Sequence, residues 1–152
     1  MVRVGEVNFA SNLEKARFMK AGSIADLRLP EVQRWAAVFL RLPLNERPAA
    51  ILRFCQYNID YVRDPHREVL EDSAVTLLRG YGDCDAKARV FVALCRASGV
   101  VARELPIRPE YDFPHILAEV FVGGRWRRAD PTILNSSIDR IPPSRLAITN
   151  YW

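Results

Sequence analysis

Three residues in this chain have types and positions that could do covalent chemistry together: Cys84, His115 and Asp130. Cys84 follows Gly80-Tyr81-Gly82-Asp83, where two glycines permit a tight turn, and it opens a predicted helix. A thiol at a helix start faces unpaired N–H groups and the positive end of the helix dipole. Both favour the thiolate, which is the nucleophilic form. Asp83 and Asp85 oppose that effect, although acidic residues are ordinary in a first helical turn. Taken alone, a cysteine at a helix start is structural more often than catalytic.

His115 is one of two histidines and begins a predicted strand. The strands His115 to Val122 and Arg125 to Asp130 are joined by Gly123-Gly124, a strong hairpin signal. If the glycines form a two-residue turn, Val122 faces Arg125, Phe121 faces Trp126, Glu119 faces Arg128 and Leu117 faces Asp130. His115 then shares a sheet face with Asp130 as a diagonal neighbour, with Cα atoms roughly 7–8 Å apart. A carboxylate within that reach can hold an imidazole in one tautomer and stabilise it when charged. The same register predicts a cross-strand ion pair between Glu119 and Arg128.

The elements that must position these residues follow from periodicity. Ser11-Asn12-Leu13-Glu14 reads as a capping box opening a helix to about Lys20. A second helix starts at Pro30, with Val32, Trp35, Ala36, Phe39 and Leu40 as its apolar stripe. Asn45 is expected to cap a third, with Ile51, Phe54, Cys55, Ile59 and Val62 on the buried side. From Arg63 a loop of roughly twenty residues leads to Gly80, long enough that a functional role or a short helical turn is expected within it. Cys84 to Ala97 forms the next helix, with Cys84, Ala88, Phe91, Leu94 and Cys95 on its core stripe and Gly99 as its stop. Val100 to Ile107 then reads as a strand, ahead of a Pro-punctuated loop and the hairpin. Helices followed by an antiparallel sheet define an α+β fold.

The chain has 152 residues, 49% of them apolar and 26% charged, which suits one globular domain rather than disorder. That domain is expected over 1–152. Its core is at about 30–132, with a helical extension over 1–29 and a loop-like tail over 133–152, where Tyr151-Trp152 could dock. No apolar run approaches the ~20 residues needed to span a bilayer, and the first residues lack a long apolar signal region. No membrane partner and a cytoplasmic location are therefore expected. Three cysteines without CxxC spacing imply reduced thiols.

The net charge of +4 is mostly scattered arginine. Arg125-Trp126-Arg127-Arg128 interleaves basic and aromatic residues as single-strand binders do. Its place in an alternating strand favours an ordinary role, so no nucleic-acid partner is expected. A metal site built on Cys84, His115 and acidic residues lacks clustered ligand spacing. No metal and no cofactor are expected. His66 follows a proline in a loop and reads as solvated.

Three blocks resemble the transglutaminase-like superfamily, a papain-related group of cysteine enzymes. Gly82-Asp83-Cys84-Asp85-Ala86-Lys87-Ala88, continued by Leu94-Cys95-Arg96-Ala97-Ser98-Gly99-Val100, is similar to the family's nucleophile segment. Phe113-Pro114-His115-Ile116-Leu117-Ala118-Glu119-Val120 is similar to its histidine strand. Gly124-Arg125-Trp126-Arg127-Arg128-Ala129-Asp130-Pro131-Thr132 is similar to its aspartate strand. Upstream, Tyr61-Val62-Arg63-Asp64-Pro65, Glu68-Val69-Leu70 and Val75-Thr76-Leu77 resemble the small branch typical of bacteriophages and prophages.

The resemblance implies a papain-like, transglutaminase-core fold with Cys84 as nucleophile, His115 as general base and acid, and Asp130 as orienter. It implies acyl transfer on a protein or peptide amide, by hydrolysis or transamidation. It also suggests that Glu71 and Tyr81 border the oxyanion or substrate site. In that branch a glutamine commonly stands where this chain has Glu71, and an ionised carboxylate repels an oxyanion. Ala86 likewise stands where the family often has an acidic residue. The contrasting reading is a catalytically weak or silent interaction module, for instance a phage assembly or virion component.

Overall fold

The computed structural model describes residues 4–6, 22–63, 69–107 and 115–141. The expected capping box at 11–14, His66, the loop before His115 and the docking of Tyr151-Trp152 lie outside these residues. Residues 22–26 are helical. The elements are β1 (Val4–Glu6), α1 (Pro30–Phe39), α2 (Arg47–Asn58), β2 (Asp60–Tyr61), β3 (Val69–Glu71), α3 (Ser73–Arg79), β4 (Tyr81–Gly82), α4 (Cys84–Ala97), β5 (Ala102–Ile107), β6 (His115–Val122) and β7 (Arg125–Ala129).

The centre of the molecule is α4. Ten of its fourteen residues are buried, so it is enclosed rather than merely amphipathic. α1, α2 and α3 pack against it, and so do β5 and β6. β5, β6 and β7 form an antiparallel sheet in that order. The sheet face carrying Ala102, Ala118, Val120 and Ala129 joins Val90, Phe91 and Leu94 of α4 in the main core. Three of those four sheet residues are alanines, whose small side chains let the helix lie close to the strands. The opposite face buries Leu105, Ile107 and Leu117 against Ile141 from the segment after β7. With both faces covered, β6 is apolar on alternate and intervening positions alike.

The N-termini of α3 and α4 share one device. The Asp72 carboxylate accepts from the Val75 N–H at 3.1 Å, and the Asp83 carboxylate from the Ala86 N–H at 3.0 Å. Gly80 ends α3 at φ 79°, a left-handed conformation that glycine adopts without a Cβ penalty.

Several expectations need correction. The stretch after Arg63 is not simply a loop: it holds β3 as well as the short helical segment expected there, α3. β3 pairs antiparallel with β1, and β2 pairs in parallel with β4, which adds two small ladders to the three-stranded sheet. Asn45 lies in a single 3₁₀ turn, Leu44–Glu46, and Glu46 precedes α2 without a side-chain cap. α2 stops at Asn58 because Asp60 and Tyr61 turn out to pair with Tyr81 and Gly82. Val62 is therefore exposed, and Trp35 and Leu40 also lie partly in solvent at 39% and 50%. β5 begins at Ala102 rather than Val100.

Candidate active site

The hairpin has the register that its glycines dictate. Val122 pairs with Arg125, Phe121 with Trp126 and Glu119 with Arg128. Gly123 and Gly124 have φ of 64° and 82°, which suits the tight turn. The last ladder pair is Ala118 with Ala129, so Asp130 stands just beyond the end of β7. From there its carboxylate Oδ2 lies 2.8 Å from His115 Nε2. The other oxygen, Oδ1, accepts from the Thr132 N–H at 2.9 Å. Asp130 is fully buried while the His115 side chain keeps 11% of its surface exposed. A buried carboxylate with both oxygens engaged is a rigid partner for a ring that still reaches solvent.

The turn after Asp130 is tied down by one residue of α2. Gln56, 2% exposed, aims its amide Nε2 at the carbonyls of Ile133 (2.9 Å) and Ser136 (3.1 Å), with the Asp130 carbonyl at 3.5 Å. The Ser136 hydroxyl donates to the Ile133 carbonyl at 2.7 Å. Asp130 is thus held at its side chain by Thr132 and through its turn by α2.

Cys84 is the first residue of α4 and is partly exposed. One turn along, Ala88 packs on Ile116, the neighbour of His115 in β6. The start of α4 therefore lies beside the start of β6. The Cys84 thiol donates to the Asp85 carboxylate at 3.4 Å. Cys55 and Cys95 are completely buried, and burial pushes the Cys55 thiol up to about 12 and the Cys95 thiol well above its ordinary value. Only Cys84, among the three, has the exposure of a working thiol.

Glu71 lies in β3 opposite Val4 of β1. Tyr81 is 41% exposed, with the Arg79 guanidinium 4.1 Å from its ring centroid and bonded to its carbonyl. Glu119 corrects a further expectation: its Oε1 takes the Arg103 guanidinium of β5 at 2.9 Å, not Arg128. Arg103 also lies 3.8 Å over the Trp126 ring. Arg125 and Arg127 both bond Asp139, at 3.0 and 3.2 Å, so part of the basic run is spent on an internal acid. Among the described residues, no group of three or more His, Cys, Asp or Glu side chains could hold a metal ion. No described helix is long and apolar enough to cross a membrane.

Sequence reasoning passed over three residues near this site. Gln56 stands on the buried side of α2, and Lys87 on the same stripe of α4 as Phe91 and Leu94. A polar residue at a core-facing helical position is the signal that could have found both. Tyr61 of β2 is the third. Its phenol is pushed above its ordinary value, first by partial burial and then by negative charge at Cys84 and Asp83.

The model of the transglutaminase-like superfamily matches residues 38–131, more than half of the chain. The protein belongs to that superfamily. Two solved structures are similar in fold. One is described as a proposed cysteine protease from Cytophaga hutchinsonii, 19% identical with a TM-score of 0.57, over 88% of this chain and 50% of that one. The other is described as a proposed protease from Parabacteroides distasonis, 13% identical with a TM-score of 0.57, over 84% of this chain and 28% of that one. The chain thus spans half the length of the first and less of the second. No curated protein matches it significantly.

Proposed function

We propose that this protein is a cysteine-dependent acyl-transfer enzyme acting on amide bonds of a protein or peptide. Cys84 is the nucleophile, His115 the general base and acid, and Asp130 the residue that orients the imidazole. The observation that carries this reading is the 2.8 Å bond from His115 Nε2 to the fully buried Asp130 carboxylate, beside a helix that starts with a partly exposed cysteine. A bond at Nε2 leaves Nδ1 to take the thiol proton. The thiolate then attacks the amide carbonyl, and the oxyanion is met by backbone N–H groups at the start of α4. His115 returns the proton to the departing amine, leaving a thioester on Cys84. Water, deprotonated by His115, releases an acid; an amine in its place releases a new amide. Because the cycle needs a reduced thiol, we place it in a reducing compartment, the cytoplasm.

The deciding experiment incubates wild type and Cys84→Ala with peptide and glutaminyl substrates, with and without an added amine. Cleaved peptide, released ammonia or incorporated amine that depends on Cys84 supports the proposal and identifies the branch. No Cys84-dependent product, with Cys84 no more reactive at pH 6–7 than an exposed cysteine, overturns it. A second reading, the silent interaction module, is favoured by the Cys84–Asp85 contact, since a thiol donating to a carboxylate is held in its unreactive form. The same experiment separates the two.

A further inference from the structure

Lys87 is completely buried, one of the large side chains that are wholly enclosed among the described residues. Lysine is almost never buried without a partner, because its charge is costly to take out of water. Here the ammonium Nζ donates to the Ile59 carbonyl at 2.5 Å and reaches the Gln56 carbonyl at 3.5 Å. Both belong to the C-terminal end of α2 and the residue after it, where helix carbonyls lack intrahelical donors and the dipole is negative. Burial lowers the Lys87 pKa, and Cys55, Asp60 and Asp130 counteract that. Lys87 lies three residues after Cys84, so its anchor fixes the first turn of the nucleophile helix.

The same end of α2 grips the other half of the site. Gln56 bonds the Ile133 and Ser136 carbonyls and so sets the turn that presents Asp130 to His115. One short stretch, 56–59, therefore takes its carbonyls to Lys87 and its side-chain amide to the Asp130 turn. Both links join parts of the chain that are distant in sequence, spanning 28 residues to Lys87 and 77 to Ile133.

We propose that the C-terminal end of α2 is a positioning clamp, in which Lys87 and Gln56 hold Cys84 and the His115–Asp130 pair in reacting register. The inference rests on the proposed function and adds two positioning residues to it. Neither touches substrate; both act through the residues they place.

The test uses the full chain and the thiol reagent iodoacetamide, so it needs no substrate. Alkylation of Cys84 is followed against pH in wild type, Lys87→Met and Gln56→Met, with thermal melts to confirm folding. Methionine keeps most of the volume of either side chain while removing the donors. Both variants are expected to be alkylated roughly tenfold more slowly at pH 7, the profile moving up by about one pH unit. A role in stability alone would lower the melting temperature and leave the profile in place. Folded variants with the wild-type profile overturn the clamp. If Lys87→Met does not fold, Gln56→Met decides the matter by itself, and if it too unfolds, Gln56→Leu takes its place, close in size and without a donor. A wild-type Cys84 with ordinary thiol reactivity overturns the proposed function and the clamp with it. An enhanced wild-type thiol with unmoved variants overturns the clamp alone.

Discussion

In the proposed mechanism a single carboxylate decides how much chemistry the site can do. Asp130 is buried and spends one oxygen on His115 and the other on the Thr132 N–H. Asp130→Asn keeps the shape but can present an amide N–H where the imidazole needs an acceptor, which favours the wrong tautomer. Cys84-dependent turnover should fall by at least about a hundredfold, measured as kcat/KM on whichever amide substrate is found. A fall of less than about threefold would remove Asp130 from the mechanism. Thiol labelling gives a second outcome at this scale. The native protein should take up one equivalent of label, at Cys84, because Cys55 and Cys95 are wholly buried and their thiols pushed up in pKa. Peptide mapping after labelling checks it. The His115–Asp130 contact was legible in the sequence because a Gly-Gly turn permits one register, and register determines the face. The partner of Glu119 was not legible. A side chain on a central strand has neighbours on both sides, and the hairpin reveals only the nearer one. Arg103, on β5, holds the carboxylate instead.

Among the elements, α4 was the most readable. Glycines at 82 and 99 bracket an unbroken helical stripe, and the helix runs Cys84–Ala97 as its periodicity predicts. The stretch before it was unreadable for a physical reason. α3 has seven residues, fewer than two full turns of periodic pattern, and β3 has three, so neither offers enough positions to define a face. What shows in sequence is the punctuation alone, Asp72 as cap and Gly80 as stop. Gly82 carries a sharper constraint. A Cβ there would lie 2.7 Å from the Ala86 Cβ, closer than carbon atoms approach, while its carbonyl accepts the Val62 N–H at 2.9 Å. Gly82→Ala must therefore displace either β4 or the first turn of α4. We expect a loss of about 1–3 kcal/mol in stability by denaturant melt, typical of overpacking. We also expect slower Cys84 alkylation, since the same turn aims the thiol. Unchanged stability together with unchanged alkylation would show that the chain absorbs the methyl group without moving the nucleophile.

Over the whole molecule, the helical segment 22–26 is fastened to the body through two buried polar residues, Asp26 and Ser23. Asp26 takes the Arg89 guanidinium on both carboxylate oxygens, at 2.7 and 3.0 Å, and the Ser73 hydroxyl at 2.6 Å. Ser23 donates to the Glu104 carboxylate in the middle of β5. The helices-then-sheet order was legible from the change of period after Gly99, but this fastening was not, because it joins residues 81 apart through single polar atoms. Glu104 gives it a pH dependence. Burial raises its pKa from 4.5 to about 7, with Ser23, Arg96 and Arg89 opposing the rise. A carboxyl group whose folded value lies above its unfolded value binds its proton more tightly in the native state. Its contribution to stability is complete below about pH 4.5 and declines as pH rises towards 7, beyond which the loss is constant. The shift corresponds to a loss on the order of 3 kcal/mol across that window. Glu104→Gln retains an acceptor for Ser23 and cannot ionise. The stability difference between variant and wild type should therefore grow in the variant's favour from pH 5 to pH 7.5, read from urea melts at half-unit steps. Parallel curves over that interval would mean that Glu104 is ionised no later in the folded protein than in the unfolded one, and that the fastening of the N-terminal segment does not respond to pH.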